Sequence, residues 1–152
     1  MASQACRLTF RVRYSEMDQL GTFYNSRALE WFELGRSEAM RAWGVGERGG
    51  GGYAEMERRG VFLPVIEAHV VYRGRARYDD LLVISTVVER AGKASLRFAC
   101  EIVHAETQAA KGGVVVTGWT THAITDGGGR PIRCPPWLNE ILDQHIHVEG
   151  SL

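Results

Sequence analysis

The sequence has few cysteines, and none of them follows a pattern typical of metal binding. Cys6, Cys100 and Cys134 are the three cysteines among 152 residues. They are an odd number, lie far apart and include no Cys-x-x-Cys pair. This usage argues against a disulfide framework and against a zinc site, and it fits a protein of the reducing cytosol.

The sequence also lacks an excess of charge of either sign. Its 18 Lys and Arg residues balance its 18 Asp and Glu residues, so the formal net charge is zero at pH 7. A dedicated nucleic-acid binder draws affinity from cations that neutralise phosphates, so this balance argues against nucleic-acid partners. An anionic ligand would have to be held by a local group of cations.

Long apolar runs are absent as well. No segment approaches the roughly 20 apolar residues that a membrane-spanning helix needs, and no basic stretch leads into an apolar run as in a signal peptide. We therefore expect a soluble, cytoplasmic protein with no membrane partner. Its 45% hydrophobic and 24% charged residues are ordinary for a globular protein, and residues 1–152 are expected to form one domain.

Five segments have the alternation or the β-branched composition that is typical of strands. In the first, residues 7–14, Leu8, Phe10, Val12 and Tyr14 share one side, so Tyr14 is a predicted core residue. The other predicted strands are Pro64 to Arg73, Leu81 to Glu89, Ser95 to His104 and Gly113 to Ile124.

A helix is predicted from Ser26 to Trp43, because apolar residues recur there at spacings of three and four. The stripe is broad, so we expect this helix to press into a sheet over much of its circumference. Its members are Ala28, Leu29, Trp31, Phe32, Leu34, Ala39, Met40 and Trp43.

Two shorter helices are predicted from residue 53 to Gly60 and from Pro135 through Gln144, and Gly49 to Gly52 predict a flexible loop. Because helices do not alternate with strands, the expected class is α+β with a five-stranded antiparallel sheet.

The segment between the first strand and the long helix carries a recognisable motif, followed by shorter ones downstream. It resembles the hotdog-fold acyl-CoA thioesterases related to 4-hydroxybenzoyl-CoA thioesterase and to the Tol-Pal-associated thioesterases. The resemblance covers nearly the whole chain. The matching positions are Tyr14, Glu16, Asp18, Gly21, Tyr24, Asn25, Glu33 to Arg36, Gly44, Gly60 to Val65, Tyr78 to Asp80 and Gly118 to His122.

This resemblance implies a hotdog fold, in which a five-stranded antiparallel sheet wraps around one long central helix. It implies hydrolysis of an acyl-CoA thioester to a free acid and coenzyme A, with no cofactor, since coenzyme A is part of the substrate. It also implies a homo-oligomer, either a dimer or a dimer of dimers (a homotetramer), with strands paired edge to edge and sites at the junction.

Asp18 is the candidate catalytic residue of the motif. Thioester hydrolysis needs a carboxylate that attacks the carbonyl carbon or deprotonates water, and it needs donors for the oxyanion. Unpaired amides at a helix start are such donors. The resemblance assigns the first role to Asp18 and the second to the backbone amides at Tyr24 and Asn25. An Asx turn is the structural alternative for Asp18, and a helix N-cap is the alternative for Asn25.

The motif departs from the family at two positions. The family's first acidic position is Asp but here is Glu16, and the common His after the tyrosine is Asn25. Asn does not act as an acid or a base near neutral pH. If the His moves a proton in relatives, this protein must manage without it.

Further residues are candidates for substrate binding. Gly21 and Phe23 belong to the same loop, and Phe23 is expected to line the acyl pocket. Arg75, Arg77 and Lys93 are predicted to hold the phosphates of coenzyme A, because guanidinium and ammonium groups bind phosphate well. For each cation alone, a place on the solvent face of a strand is the alternative.

Two other functions remain open. Hotdog hydratases and dehydratases use a His with an acid, and Asn25 replaces that His here. A non-catalytic acyl-CoA-binding protein is the third possibility. We expect no metal, since the five histidines show no ligand spacing on a helix.

Overall fold

Five antiparallel strands form one sheet in a computed structural model that describes residues 5–45, 51–106 and 113–146. The spatial order of the strands is β1-β3-β4-β5-β2. They are β1 (Cys6–Arg11), β2 (Val65–Tyr72), β3 (Leu81–Gly92), β4 (Ser95–His104) and β5 (Val114–Ala123), and the helices are α1 (Arg27–Ala42), α2 (Gly52–Arg58) and α3 (Pro136–Asp143). The predicted α+β class is confirmed.

The alternating side chains of the central strands build the core. On β3, Leu82, Ile84 and Val88 have no exposed surface, whereas their neighbours in sequence face outward and are half-buried. On β4, Leu96 and Phe98 are likewise fully buried. The inner face of the sheet is therefore apolar and is covered by α1.

Helix α1 has 16 residues and packs on this inner face through one side only. Trp31, Phe32 and Met40 are buried against the sheet, but Leu29 is 41% exposed and Leu34 is 38% exposed. The expectation that sheet would surround much of the helix is wrong for the single chain. The broad apolar stripe leaves its outer part uncovered.

Two sequence-based boundaries are also wrong. Strand β1 ends at Arg11, and Tyr14 lies in a short 3-10 helix with its side chain 80% exposed against Tyr78. Gly52, predicted to be in a loop, begins α2. The earlier part of that glycine run and most of the connection after β4 lie outside the described residues.

Helices α2 and α3 close the end of the core where α1 finishes. Met56 of α2 and Leu138 and Leu142 of α3 are fully buried there. Trp43, just after α1, stacks on Phe98 and on His145. Among the described helices, none combines the length and the apolar character that crossing a membrane requires.

Gly118 permits the tight packing of β5 between β2 and α1. A Cβ atom at this position would lie 2.1 Å from the carbonyl oxygen of His69 and 3.0 Å from the ring of Phe32. Because the first of these atoms belongs to the backbone, only glycine fits without displacing β2. The edge strand β2 is thus held close to the helix side of the sheet.

His122 is the most deeply buried ionisable group of the sheet and has no exposed surface. Its Nδ1 lies 2.8 Å from the carbonyl oxygen of Leu63, and its Nε2 lies 2.8 Å from the hydroxyl oxygen of Thr120. Nδ1 therefore donates to the carbonyl, and Nε2 accepts from the hydroxyl. Burial lowers the pKa of His122 from 6.5 to about 4, with the charge of Arg36 acting in the same direction and the Leu63 carbonyl opposing it.

We expect His122 to make the protein acid-sensitive. Its folded pKa lies below the unfolded value of 6.5, so its contribution to stability is complete above pH 6.5 and is lost as the pH falls towards 4. The loss should be on the order of 3 kcal/mol. Urea unfolding over this range should show a flatter pH dependence for His122→Gln than for the wild type. Parallel pH curves for the two proteins would contradict the assignment.

Candidate active site

The loop between β1 and α1 folds back on itself and presents Asp18. The amide of Asp18 donates to the carbonyl of Thr22 at 2.9 Å, and Met17 forms an isolated bridge with Phe23. Gly21 turns the chain with φ of 76°, a conformation that glycine adopts readily. The loop thereby brings Asp18 beside the residues that lead into α1.

The Asp18 side chain is half-buried and has one free oxygen. Its Oδ1 accepts a hydrogen bond from the amide of Leu20 at 2.7 Å. This bond is the Asx turn that was the structural alternative for Asp18. Its Oδ2 has no hydrogen-bond partner among the described residues, so the turn fixes the carboxylate without consuming both of its oxygens.

The backbone amides at the start of α1 differ in their availability. The amide of Tyr24 donates to the carbonyl of Glu16 at 2.8 Å. The amides of Asn25 and Ser26 have no acceptor among the described residues. The first helical turn is closed by amides further along, since that of Arg27 donates to the Tyr24 carbonyl and that of Ala28 to the Asn25 carbonyl. Of the two predicted donors, only the amide of Asn25 is free in this geometry.

Asn25 is not the N-cap of α1. Ser26 holds that position, and its side chain makes no capping hydrogen bond. The Asn25 side chain is exposed, while its carbonyl accepts a hydrogen bond from the hydroxyl of Tyr72 at 2.7 Å. The end of β2 is thus joined directly to the start of the helix. Because the two residues are 47 positions apart, no local sequence pattern predicts this contact.

Glu16, the other acid of the motif, is a buried structural residue. It is 2% exposed, and its carboxylate accepts hydrogen bonds from the indole nitrogen of Trp31 and from the amide of Arg13, both at 2.7 Å. The guanidinium of Arg13 lies 3.4 Å away. These donors satisfy the buried charge, and they tie the loop to the first turns of α1.

Phe23 lies in the core beneath the loop and is 4% exposed. Its ring contacts Trp31 at 4.7 Å between centroids and Tyr72 at 6.1 Å. The predicted role in an acyl pocket therefore is not visible in the single chain. What Phe23 does here is anchor the loop, together with a hydrogen bond from its amide to the carbonyl of Ala76.

Arg75 and Arg77 lie at the same end of the molecule as Asp18. They flank Ala76, whose carbonyl and amide are hydrogen-bonded to the hydroxyl of Thr22 in the loop that carries Asp18. Both arginine side chains are exposed, and neither forms an ion pair within the described part of the chain. The sheet topology thus unites two of the three predicted phosphate-binding cations with the loop.

Lys93 does not belong to this group. It follows Gly92 at the far end of β3, whereas Arg77 precedes Leu81 at the near end. A 12-residue strand is roughly 35 Å long. The prediction that Lys93 shares a site with Arg75 and Arg77 is therefore wrong within one chain, because closeness to the next strand in sequence does not place a residue at the same end of a strand.

Asp18 does not line any of four cavities that the described residues form. The largest, about 630 Å³, lies between β1 and the outer side of α1 and contains Glu16. Another, about 320 Å³, lies beside Tyr53, Glu57, Phe62 and Pro64, just before β2. The candidate carboxylate thus lies outside these four cavities, in the loop before α1, and the end of β2 is hydrogen-bonded to the start of that helix through Tyr72.

Comparison with known proteins gives a consistent assignment. Residues 12–142 match the family described as "Thioesterase-like superfamily". "Putative acyl-CoA thioesterase YneP" of Bacillus subtilis is 33% identical over 78 residues, which are 51% of this chain and 52% of YneP. "Putative esterase sll0410" of Synechocystis is 29% identical over 134 residues, covering 87% of this chain and 75% of that protein. The match to YneP spans about half of that protein's length.

Solved structures share the fold. The hypothetical protein TT1821 from Thermus thermophilus superposes with a TM-score of 0.80 and 25% identity over 91% of this chain and 98% of that one. The DHNA-CoA thioesterase from Staphylococcus aureus superposes with a TM-score of 0.78 and 24% identity over 92% and 89% of the two chains. The match over residues 12–142 shows that the chain belongs to the Thioesterase-like superfamily, and its likeness to these structures shows that it has the hotdog fold.

Proposed function

We propose that the protein hydrolyses an acyl-CoA thioester to a free acid and coenzyme A, with Asp18 as nucleophile or general base. The observation that carries this proposal is the loop geometry. One oxygen of Asp18 is fixed by the Leu20 amide and the other is free, beside a helix start whose Asn25 amide lacks a partner. The similarity to YneP, which is named as an acyl-CoA thioesterase, supports acyl-CoA as the substrate class.

Asp18 acts on the thioester carbonyl carbon. It either forms the new C–O bond itself, giving an anhydride that water then cleaves, or takes a proton from the water that attacks. In both routes the C–S bond breaks and the thiolate of coenzyme A leaves and is protonated. Asn25 does not take this proton, so Asp18 and solvent handle the proton transfers.

The amide of Asn25 is the proposed oxyanion donor. It lies at the positive end of the α1 dipole, where charge that develops on the carbonyl oxygen is stabilised. The amide of Tyr24 is committed to the carbonyl of Glu16. Its role is therefore to hold the loop against the helix start, which is a narrower role than the motif predicts for Tyr24.

A second copy of the chain completes the site. In the described part of the chain, no strand pairs with the edge of β2 away from β5, and Val65, Ile66 and Tyr72 are 48%, 60% and 49% exposed. Such an apolar edge needs a partner. Two-fold pairing of β2 with itself is antiparallel, so it puts the start of one β2 beside the end of the other.

This pairing has a direct effect on the substrate pocket. The cavity before β2, with Phe62 and Pro64, is brought to the end where the other copy has Tyr72 and Asn25. The acyl group would then bind between the two chains. The exposed arginines Arg75 and Arg77, which lie near the same loop, would meet the phosphates of coenzyme A.

We expect Asp18→Asn to lower the turnover of acyl-CoA, measured as thiol release over a panel of acyl groups, by about a hundredfold or more. The amide keeps the shape of the loop but is neither a base nor a nucleophile. Asp79→Asn is the matched control, since Asp79 is an exposed carboxylate at the same end of the sheet. Full activity of Asp18→Asn would reject the assigned role. Crotonyl-CoA hydration, followed in the ultraviolet, would instead identify a hydratase.

Substitutions of Asn25 test the backbone donor separately. Asn25→Ala retains the N–H group, whereas Asn25→Pro removes it at a position before the helix where proline is tolerated. We expect thiol release to persist in the alanine variant and to fall by about a hundredfold to a thousandfold in the proline variant. Equal activity of two folded variants would show that this amide is not the donor.

The molecular mass in solution tests the proposed pairing of two β2 edges. Light scattering should give at least a dimer for the wild type, and Ile66→Lys should shift it towards the monomer, because a charge replaces an exposed apolar residue of the edge. Val114→Lys, on β5, is the control. Thiol release should fall together with the dimer. A monomeric variant with full activity would contradict the shared site.

A further inference from the structure

A separate cavity of about 530 Å³ lies at the opposite end of the sheet from Asp18. It is formed where the β3–β4 hairpin meets the segment that leads into α3. None of its lining belongs to the motif. The lining residues are Lys93, Arg133, Cys134, Pro136 and Asn139.

The charge of this lining is positive. Lys93 and Arg133 are exposed, and neither forms an ion pair among the described residues. No carboxylate is among the lining residues. Asp143 is ion-paired at 2.6 Å with Arg90, which also donates to the lining residue Asn139, so the charge of this acid is offset by that of Arg90. Two uncompensated cations therefore share one concave surface in a chain whose overall charge is zero.

Asn139 adds a hydrogen-bond donor to the two cations. Its Oδ1 accepts a hydrogen bond from the guanidinium of Arg90 at 2.5 Å, and since arginine only donates, the carbonyl side of the amide must face Arg90. The Nδ2 group is left without a partner among the described residues. Arg90 thus fixes the orientation in which Asn139 donates.

The side chain of Cys134 would not repel a bound anion. It is 7% exposed, and burial raises the pKa of its thiol, with Asp143 acting in the same direction and Arg90 opposing them. The thiol is therefore neutral near pH 7. It adds no negative charge to the lining.

We infer that this cavity binds a phosphate group, either inorganic phosphate or a phosphate monoester. A dianion with three or more acceptor oxygens matches two cations and one amide donor. The guanidinium of Arg133 suits paired phosphate oxygens, and Lys93 provides a point charge. The site is distinct from the acyl-CoA loop, because the whole length of β3 separates the two within one chain.

The test is a calorimetric titration of the full chain with inorganic phosphate at constant ionic strength, with chloride as the balancing anion. Saturable binding is expected for the wild type, and the double variant Lys93→Gln/Arg133→Gln should lose roughly tenfold to a hundredfold in affinity. Arg7→Gln, which removes an exposed cation of β1, should bind as the wild type does. The charge-conserving variant Lys93→Arg/Arg133→Lys should retain most of the affinity. No saturable binding, or equal binding by the wild type and the neutral double variant, would overturn the inference.

The source of the phosphate is resolved by two further ligands. Coenzyme A and dephospho-coenzyme A differ by one 3′-phosphate monoester. If the double variant abolishes the preference of the wild type for coenzyme A, that phosphate is the ligand, reaching the cavity from a site on another copy. If the double variant weakens the binding of inorganic phosphate alone, the ligand is a free phosphate or another monoester. Both readouts are independent of thioester hydrolysis, so a failure of the proposed reaction would not affect them.

Discussion

The burial of the Glu16 carboxylate is the constraint on which the geometry of the candidate site depends. A charge that is 2% exposed must be met by donors, and it is met by the indole of Trp31 and the amide of Arg13. The first donor belongs to α1 and the second to the chain leaving β1. One side chain therefore fixes the distance between the loop and the helix. The carbonyl of the same residue accepts from Tyr24, so the loop is held at both ends.

In the proposed mechanism, the two acids of the motif have different roles, one structural and one chemical. Glu16 accepts hydrogen bonds from two protein donors and is only 2% exposed, whereas one oxygen of Asp18 has no hydrogen-bond partner among the described residues. The two backbone amides also differ. The Tyr24 amide donates to Glu16 and anchors the loop, whereas the Asn25 amide has no acceptor among the described residues. The proposed reaction needs a carboxylate and a vacant donor, and both candidates lie in the segment that Glu16 anchors.

The sequence was most informative where local periodicity decides the structure. Strands β4 and β5 are predicted to within one residue, β4 from its alternation and β5 from its Val- and Thr-rich composition, and the α+β class follows. Tyr14 continues the alternation of β1 but is exposed, since the chain leaves the sheet after Arg11. The period alone does not indicate where a strand ceases to pair.

Within the site, the motif predicted which residues matter, but long-range contacts decide what each one does. The bond between Glu16 and Trp31 and the bond between Tyr72 and Asn25 join residues 15 and 47 positions apart, and no spacing rule predicts them. Lys93 is a second case in which local sequence does not predict which residues lie together. It is placed by the length and direction of β3, which only the folded topology specifies.

Tyr72 has a consequence for how this enzyme family could diversify. Tyr72 terminates the exposed edge strand, packs on Phe23 and donates a hydrogen bond to the carbonyl of Asn25, so it links the edge proposed to pair with a second copy to the proposed oxyanion donor. If two copies pair as proposed, a mutation that reshapes their contact would affect the proposed oxyanion donor through the Tyr72 side chain. Quaternary structure and reactivity would therefore have to evolve together.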